Sequence, residues 1–201
     1  GMYARVGRAG LSAIKDRQVQ KGVHITPAIS ASFDLLVDLF RLQPRREFQL
    51  AAASLPRTLA ASDAAYDAGR GTAGFLFVKS PCQPEATRLG RAINIPTDVY
   101  QFWEDHETYI AQLELLAVLV AMVECAPFIR CTHGLWFIDN VAALMALVKG
   151  SSRSESLDHM AKIIHLAAFA LEAPAYFEYV ESSANWADEI SRHGLRGHWA
   201  R

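Results

Sequence analysis

The chain has 201 residues, 51% of them apolar and 20% charged, and a formal net charge of −1. That composition suits one globular core of moderate size and excludes a disordered or collagen-like chain. The longest apolar run, 115–123, is nine residues, far short of the ~20 needed to span a bilayer, so no membrane partner is expected.

The charge is unevenly spread. Residues 1–58 hold nine Lys/Arg against four Asp/Glu, a balance of +5; residues 59–201 hold eleven against seventeen, a balance of −6. A basic arm beside an acidic body suits a polyanion held near the arm, or simply a solvated face. The cysteines, Cys82, Cys125 and Cys131, are odd in number and lack C-x-x-C spacing. With no charged-then-apolar leader pattern, they point to a reduced, intracellular protein without a zinc site.

In chain order, Pro27–Leu42 reads as an amphipathic helix with Phe33, Leu35, Leu36, Val37, Leu39 and Phe40 on its apolar face. Pro44-Arg-Arg46 ends it, and 47–58 is a linker. Residues 1–58 therefore form a mostly helical N-terminal extension before a body over 59–195 and a tail over 196–201. Leu59–Asp63 is a first strand, Asp67–Gly71 a turn and Thr72–Lys79 a second strand, together a hairpin. Ser80–Leu89 is a Pro-rich loop, and Val99–Trp103 is the third strand. A long helix over Glu107–Cys125 is stopped by Pro127. Strand Leu135–Asp139 precedes a short helix, Val141–Val148, ended by Gly150. Helix Ser154–Leu171, stopped by Pro174, leads to strand Tyr176–Val180. Helix Asn185–His193 ends at Gly194. A hairpin followed by strand–helix alternation predicts an α/β fold: a five-stranded mixed sheet with helices on both faces.

Gly69-Arg-Gly71-Thr-Ala-Gly74 matches G-x-G-x-x-G. The dinucleotide fingerprint needs a helix directly after the glycines. Phe75-Leu-Phe-Val78 is a strand run instead, so these glycines serve a turn and a spot without side chains.

Four acids occupy four different contexts: Asp63 in the first strand, Glu114 in an apolar helical run, Asp139 at the end of the fourth strand, and Asp188 early in the last helix. Each alone reads easily as a turn, surface or cap residue. Together they point to a divalent-cation site, because unpaired buried carboxylates are costly and repel one another. If the first and fourth strands are adjacent and parallel, Asp63 and Asp139 emerge at one sheet edge, where ligands bind. Asn185 is placed to cap the last helix. Two Mg²⁺ ions, with Mn²⁺ an alternative, would clamp the attacking and leaving oxygens of a phosphodiester.

The order Ser62-Asp63 before a Gly hairpin, Gln112-Leu-Glu114-Leu-Leu-Ala117, Phe137-Ile-Asp139-Asn140 and Asn185-x-Ala187-Asp188-x-x-Ser191-Arg192 resembles the ribonuclease H domain of retroelement reverse transcriptases. The resemblance covers about residues 59–195. It implies that Asp63, Glu114, Asp139 and Asp188 bind two metal ions and that the RNA strand of an RNA/DNA hybrid is cut. It also implies an upstream polymerase domain in the same polyprotein, of which residues 1–58 are the tail. Many relatives carry a histidine between the last strand and last helix; here that loop is Glu181-Ser-Ser-Ala184. Arg70, Asn140, Lys149, Arg153, Asn185 and Arg192 are candidate substrate contacts.

Two other nuclease classes fit less well. A proofreading exonuclease carries Asp-x-Glu on its first strand, and Ala65 occupies that position here. An integrase would not need Glu114. The remaining alternative is a catalytically weak or inactive module of the same fold, acting as a scaffold or nucleic-acid-binding connector.

Overall fold

The structure is a computed structural model that describes residues 11, 13–19, 24–42, 56–80, 86–103 and 108–196. The linker expected over 47–58 and the Pro-rich loop after Ser80 lie largely outside these residues, and 197–201 lie wholly outside them.

Helix α1 spans Pro27–Leu42, with the boundaries expected from sequence. Thr26 Oγ1 accepts from Ile29 N at 3.3 Å, and Pro27 occupies the first helical position, where no N–H is needed. Its apolar face differs from the expectation. Ile29 and Leu39 are buried, while Phe33, Val37 and Phe40 are exposed.

Strands β1 (Arg57–Asp67) and β2 (Arg70–Lys79) form an antiparallel hairpin. The two-residue turn, Ala68-Gly69, has φ of 47° and 79°, the left-handed pair that matches strand twist. Strand β3 is Thr87–Ile95, and a 3₁₀ helix, Thr97–Phe102, follows it. The expected third strand at Val99–Trp103 is therefore incorrect. β3 is a sheet-edge strand whose arginines and other side chains are largely exposed, so it lacks the alternating apolar signal. The aromatics of 99–103 serve a side-chain cluster instead: Tyr100 stacks on Tyr109 at 4.9 Å, and both meet Tyr66 edge-on.

Helix α2 (Ile110–Glu124) leads through a short α3 (Ala126–Ile129) to β4 (His133–Ile138). Helix α4 (Val141–Lys149) is capped by Asn140, whose side chain accepts from Ala143 N at 3.0 Å, and ends at left-handed Gly150. Helix α5 (Glu155–Ala170), strand β5 (Ala175–Tyr179) and helix α6 (Asp188–His193) complete the chain.

The sheet order is β3-β2-β1-β4-β5, with β1–β4 and β4–β5 parallel and the rest antiparallel. One face carries Ala60, Phe75, Phe77, Trp136, Ile138 and Phe177 against α2, α4 and α5. The other receives α6. This is the five-stranded mixed sheet with helices on both faces that the sequence led us to expect. Among the described residues, no helix is long and apolar enough to cross a membrane. Cys125 and Cys131 are free thiols.

Candidate metal centre

Register brings the first two acids together. The parallel β1–β4 pairing runs to Ala61↔Phe137. Asp63 and Asp139 each lie two residues further on, so they stand level and on the same side of the sheet. Asp63 is not at the end of its strand, as expected, because the hairpin continues to Asp67 after β4 has stopped at Ile138. It is the end of β4 that opens the space beside it.

Glu114 enters that space from α2. This helix is apolar nearly all round because the sheet covers one side and α5 the other. Gln112 and Glu114, about 200° apart around the axis, divide the two directions. Gln112 Nε2 donates to Ser156 Oγ of α5 at 3.2 Å. Glu114 Oε1 accepts from Ala64 N at 3.2 Å, a backbone donor beyond the reach of the β1–β4 ladder. Packing of Leu113 and Ala117 on Ala64 and Ala73, with Tyr66, Tyr100, Trp103 and Tyr109 around them, holds the first turns of α2 on the hairpin.

One carboxylate oxygen from each of Asp63, Glu114 and Asp139 lies within 4.8 Å of the others. Asp63 and Glu114 are 3% and 2% exposed. Burial, above all, pushes the Asp63 carboxyl from 3.8 up to about 7; the Ser191 hydrogen bond opposes this, while the charges of Asp139 and Asp188 add to it. Burial likewise holds Glu114 well above the usual carboxylate range, helped by the charges of Asp63 and Asp139 and opposed by the Ala64 N–H. Glu114 Oε2 is buried with no hydrogen-bond partner among the described residues. A buried carboxylate oxygen without a partner is costly, and a cation in the cluster would satisfy it. The all-carboxylate donor set fits a hard ion such as Mg²⁺ or Mn²⁺.

Asp188 lies outside this group of three. Its charge reaches Asp63 and Glu114, but its Oδ1 accepts from Arg192 Nε at 2.9 Å and Nη2 at 2.7 Å. Arg192, a candidate phosphate contact, is thus paired within its own helix.

Asn185 does not cap α6. Its Oδ1 accepts from Ala187 N at 3.1 Å and its Nδ2 donates to Ser62 O of β1 at 3.0 Å. The residues ahead of Asp188 form a 3₁₀ turn, Ser182–Ala184, so the helix begins three residues later than expected. Asn140 caps α4, while Arg70 at the start of β2, Lys149 at the end of α4 and Arg153 in the loop that follows it are exposed. Two positions at the site escaped sequence reasoning. Ser191 Oγ hydrogen-bonds Asp63 Oδ2, and Gly74, paired with Asp63 across the hairpin, gives α6 its room. The hints were that Ser191 stands in the last motif and that the glycine run ending at Gly74 marked a spot without side chains.

No protein-family model matches the chain, and no curated protein aligns with it significantly. Solved structures do match. LC11-RNase H1, isolated from compost by a metagenomic approach, is 13% identical with a TM-score of 0.50, over 69% of this chain and 95% of that one. The same protein is also known in complex with an RNA/DNA hybrid. RNase H1 from the halophilic archaeon Halobacterium salinarum is 16% identical, with a TM-score of 0.49 over 69% of this chain and 97% of that one. The prototype foamy virus protease–reverse transcriptase is 14% identical, with a TM-score of 0.43 over 90% of this chain and 29% of that one. At such identities the likeness concerns architecture, and the fold of this chain is ribonuclease H-like.

Proposed function

We propose that this chain is a metal-dependent endonuclease that hydrolyses the RNA strand of RNA/DNA hybrids, in the setting of a retroelement reverse transcriptase. The observation that carries the reading is the meeting of Asp63, Glu114 and Asp139, from three separate elements, beside the end of β4. The ribonuclease H-like fold supports it, as does the order of the sequence motifs. Asp63, Glu114 and Asp139 would hold two Mg²⁺ or Mn²⁺ ions, with Asp188 and its negative charge at the rim.

Bound there, such ions supply charge neutralisation at the phosphate and activation of water. The protein's own part is to keep the three carboxylates converged, with Asp63 and Glu114 already buried. Arg70, Lys149 and Arg153 are free to meet backbone phosphates, whereas Asn140, Asn185 and Arg192 already commit polar groups to intramolecular bonds. Recognition by backbone shape and 2′-hydroxyls fits this thin set of contacts. The chain ahead of β1 is then the tail of a preceding polymerase region, and the nuclease body begins with β1 at Arg57, two residues before the boundary expected at 59.

The test is cleavage of a labelled RNA/DNA hybrid with Mg²⁺ or Mn²⁺, beside single-stranded RNA and the two homoduplexes. Hybrid-specific, metal-dependent cutting is expected. Asp139→Asn should lower it by more than about a hundredfold, since even the supports of metal ligands are typically worth ten- to hundredfold. A folded protein that cuts none of these substrates would instead be the inactive scaffold module.

A further inference from the structure

Ser191 lies on α6, 2% exposed, facing β1 and β2. Its Oγ hydrogen-bonds Asp63 Oδ2 and also lies 2.9 Å from the main-chain oxygen of Asp188. Helix α6 can come this close because Gly74 has no side chain. A Cβ at Gly74 would lie 2.5 Å from Ser191 N and 2.9 Å from Ile190 C. Those are backbone atoms, so no change of rotamer would relieve the clash.

We propose that Ser191, admitted by Gly74, is a positioning residue that aims the Asp63 carboxylate at the metal ions. The inference rests on the metal-nuclease reading above. An aspartate carboxylate rotates over a broad well about its last bond. A hydroxyl held in a helix and bonded to one oxygen removes that freedom and leaves the other lone pairs turned toward Glu114 and Asp139. The hydroxyl has one hydrogen for two acceptors, and donation to a carboxylate is the stronger, charge-assisted bond. Its other neighbour, the Asp188 carbonyl, ties the same contact to the first turn of α6. One side chain therefore orients a ligand on β1 and sets the distance at which the Asp188 charge approaches it.

The experiment is titration of the full chain with Mn²⁺, free ion being read by electron paramagnetic resonance, in wild type, Ser191→Ala, Gly74→Ala and Asp139→Asn. Ser191→Ala should weaken Mn²⁺ binding about tenfold, the low end for groups that orient metal ligands. Its circular dichroism should stay near wild type, its metal-free melting temperature should fall modestly because Asp63 Oδ2 loses a buried donor, and saturating Mn²⁺ should restore most hybrid cleavage. Gly74→Ala should weaken binding at least as much by displacing α6; should it fail to fold, Ser191→Ala decides alone. Wild-type affinity in Ser191→Ala, with binding lost in Asp139→Asn, would overturn the positioning role and leave the metal site standing. A wild-type chain that binds no Mn²⁺ would remove both.

Discussion

At the scale of single residues, the two buried carboxylates make stability depend on pH in an unusual direction. Acids that form ion pairs stabilise a fold as pH rises. Asp63 does the reverse, because its folded pKa of about 7 lies above its ordinary 3.8. Between those values the folded chain holds a proton that the unfolded chain has released, so unfolding free energy falls with pH. The contribution is fully present below about pH 4 and lost as pH rises through about 7, with Glu114 acting in the same sense. The gap corresponds to roughly 4 kcal/mol as an upper bound for Asp63. Chemical denaturation in EDTA should therefore show lower stability at pH 8 than at pH 5. Asp63→Asn should flatten the profile, and millimolar Mn²⁺ should raise stability at pH 8 by binding the folded state. An identical slope in Asp63→Asn would show that the carboxyl does not titrate as its burial requires.

At the scale of elements, the hairpin shows how turn stereochemistry and sheet level interact. The Ala68-Gly69 turn requires positive φ at both residues. Glycine accepts this freely, whereas alanine in the left-handed region is strained by about 1 kcal/mol. Asparagine tolerates the region better, and Asn-Gly is the favoured pair for this turn. Ala68 is exposed, so Ala68→Asn should add about 0.5–1 kcal/mol, read as a higher denaturant midpoint at unchanged slope. A loss of stability would argue against the turn geometry. The same hairpin overshoots β4, and that mismatch in strand length makes the site. If β4 continued beside β1, the Ala64 N–H would have a strand neighbour instead of Glu114.

At the scale of the whole molecule, one core holds the clustered carboxylates in place. Phe77 is fully buried between the sheet and the helices on its first face, within the same cluster as Leu115 and Val118 of α2. Phe77→Ala should cost about 3–5 kcal/mol, a large part of the ~5–15 kcal/mol typical of a domain. Glu114 is carried by that helix, so Mn²⁺ affinity should fall as well. Denaturation curves and Mn²⁺ titration on one preparation would check both; a loss below about 1 kcal/mol would mean that the core closes over the gap.

The sequence by itself determined what depends on local rules. The extent of helix α1 was legible between Pro27 and Pro44, though not the face it buries; α4 was legible through Asn140 and Gly150, and the hairpin through its glycines. The four acids stood in readable contexts. Strand β3 was not legible, because an exposed edge strand buries too little to leave a periodic trace, and the aromatics after it drew the assignment to themselves. Only the tertiary structure decided which carboxylates meet. Asp63 joins Asp139 through strand register, meets Glu114 through a contact 50 residues apart at Ala64, and takes Ser191 from 128 residues away. Asp188 turns to Arg192 one helical turn further on. Periodicity and capping act over a few residues, whereas register, helix depth and the space left by Gly74 arise only when distant segments pack.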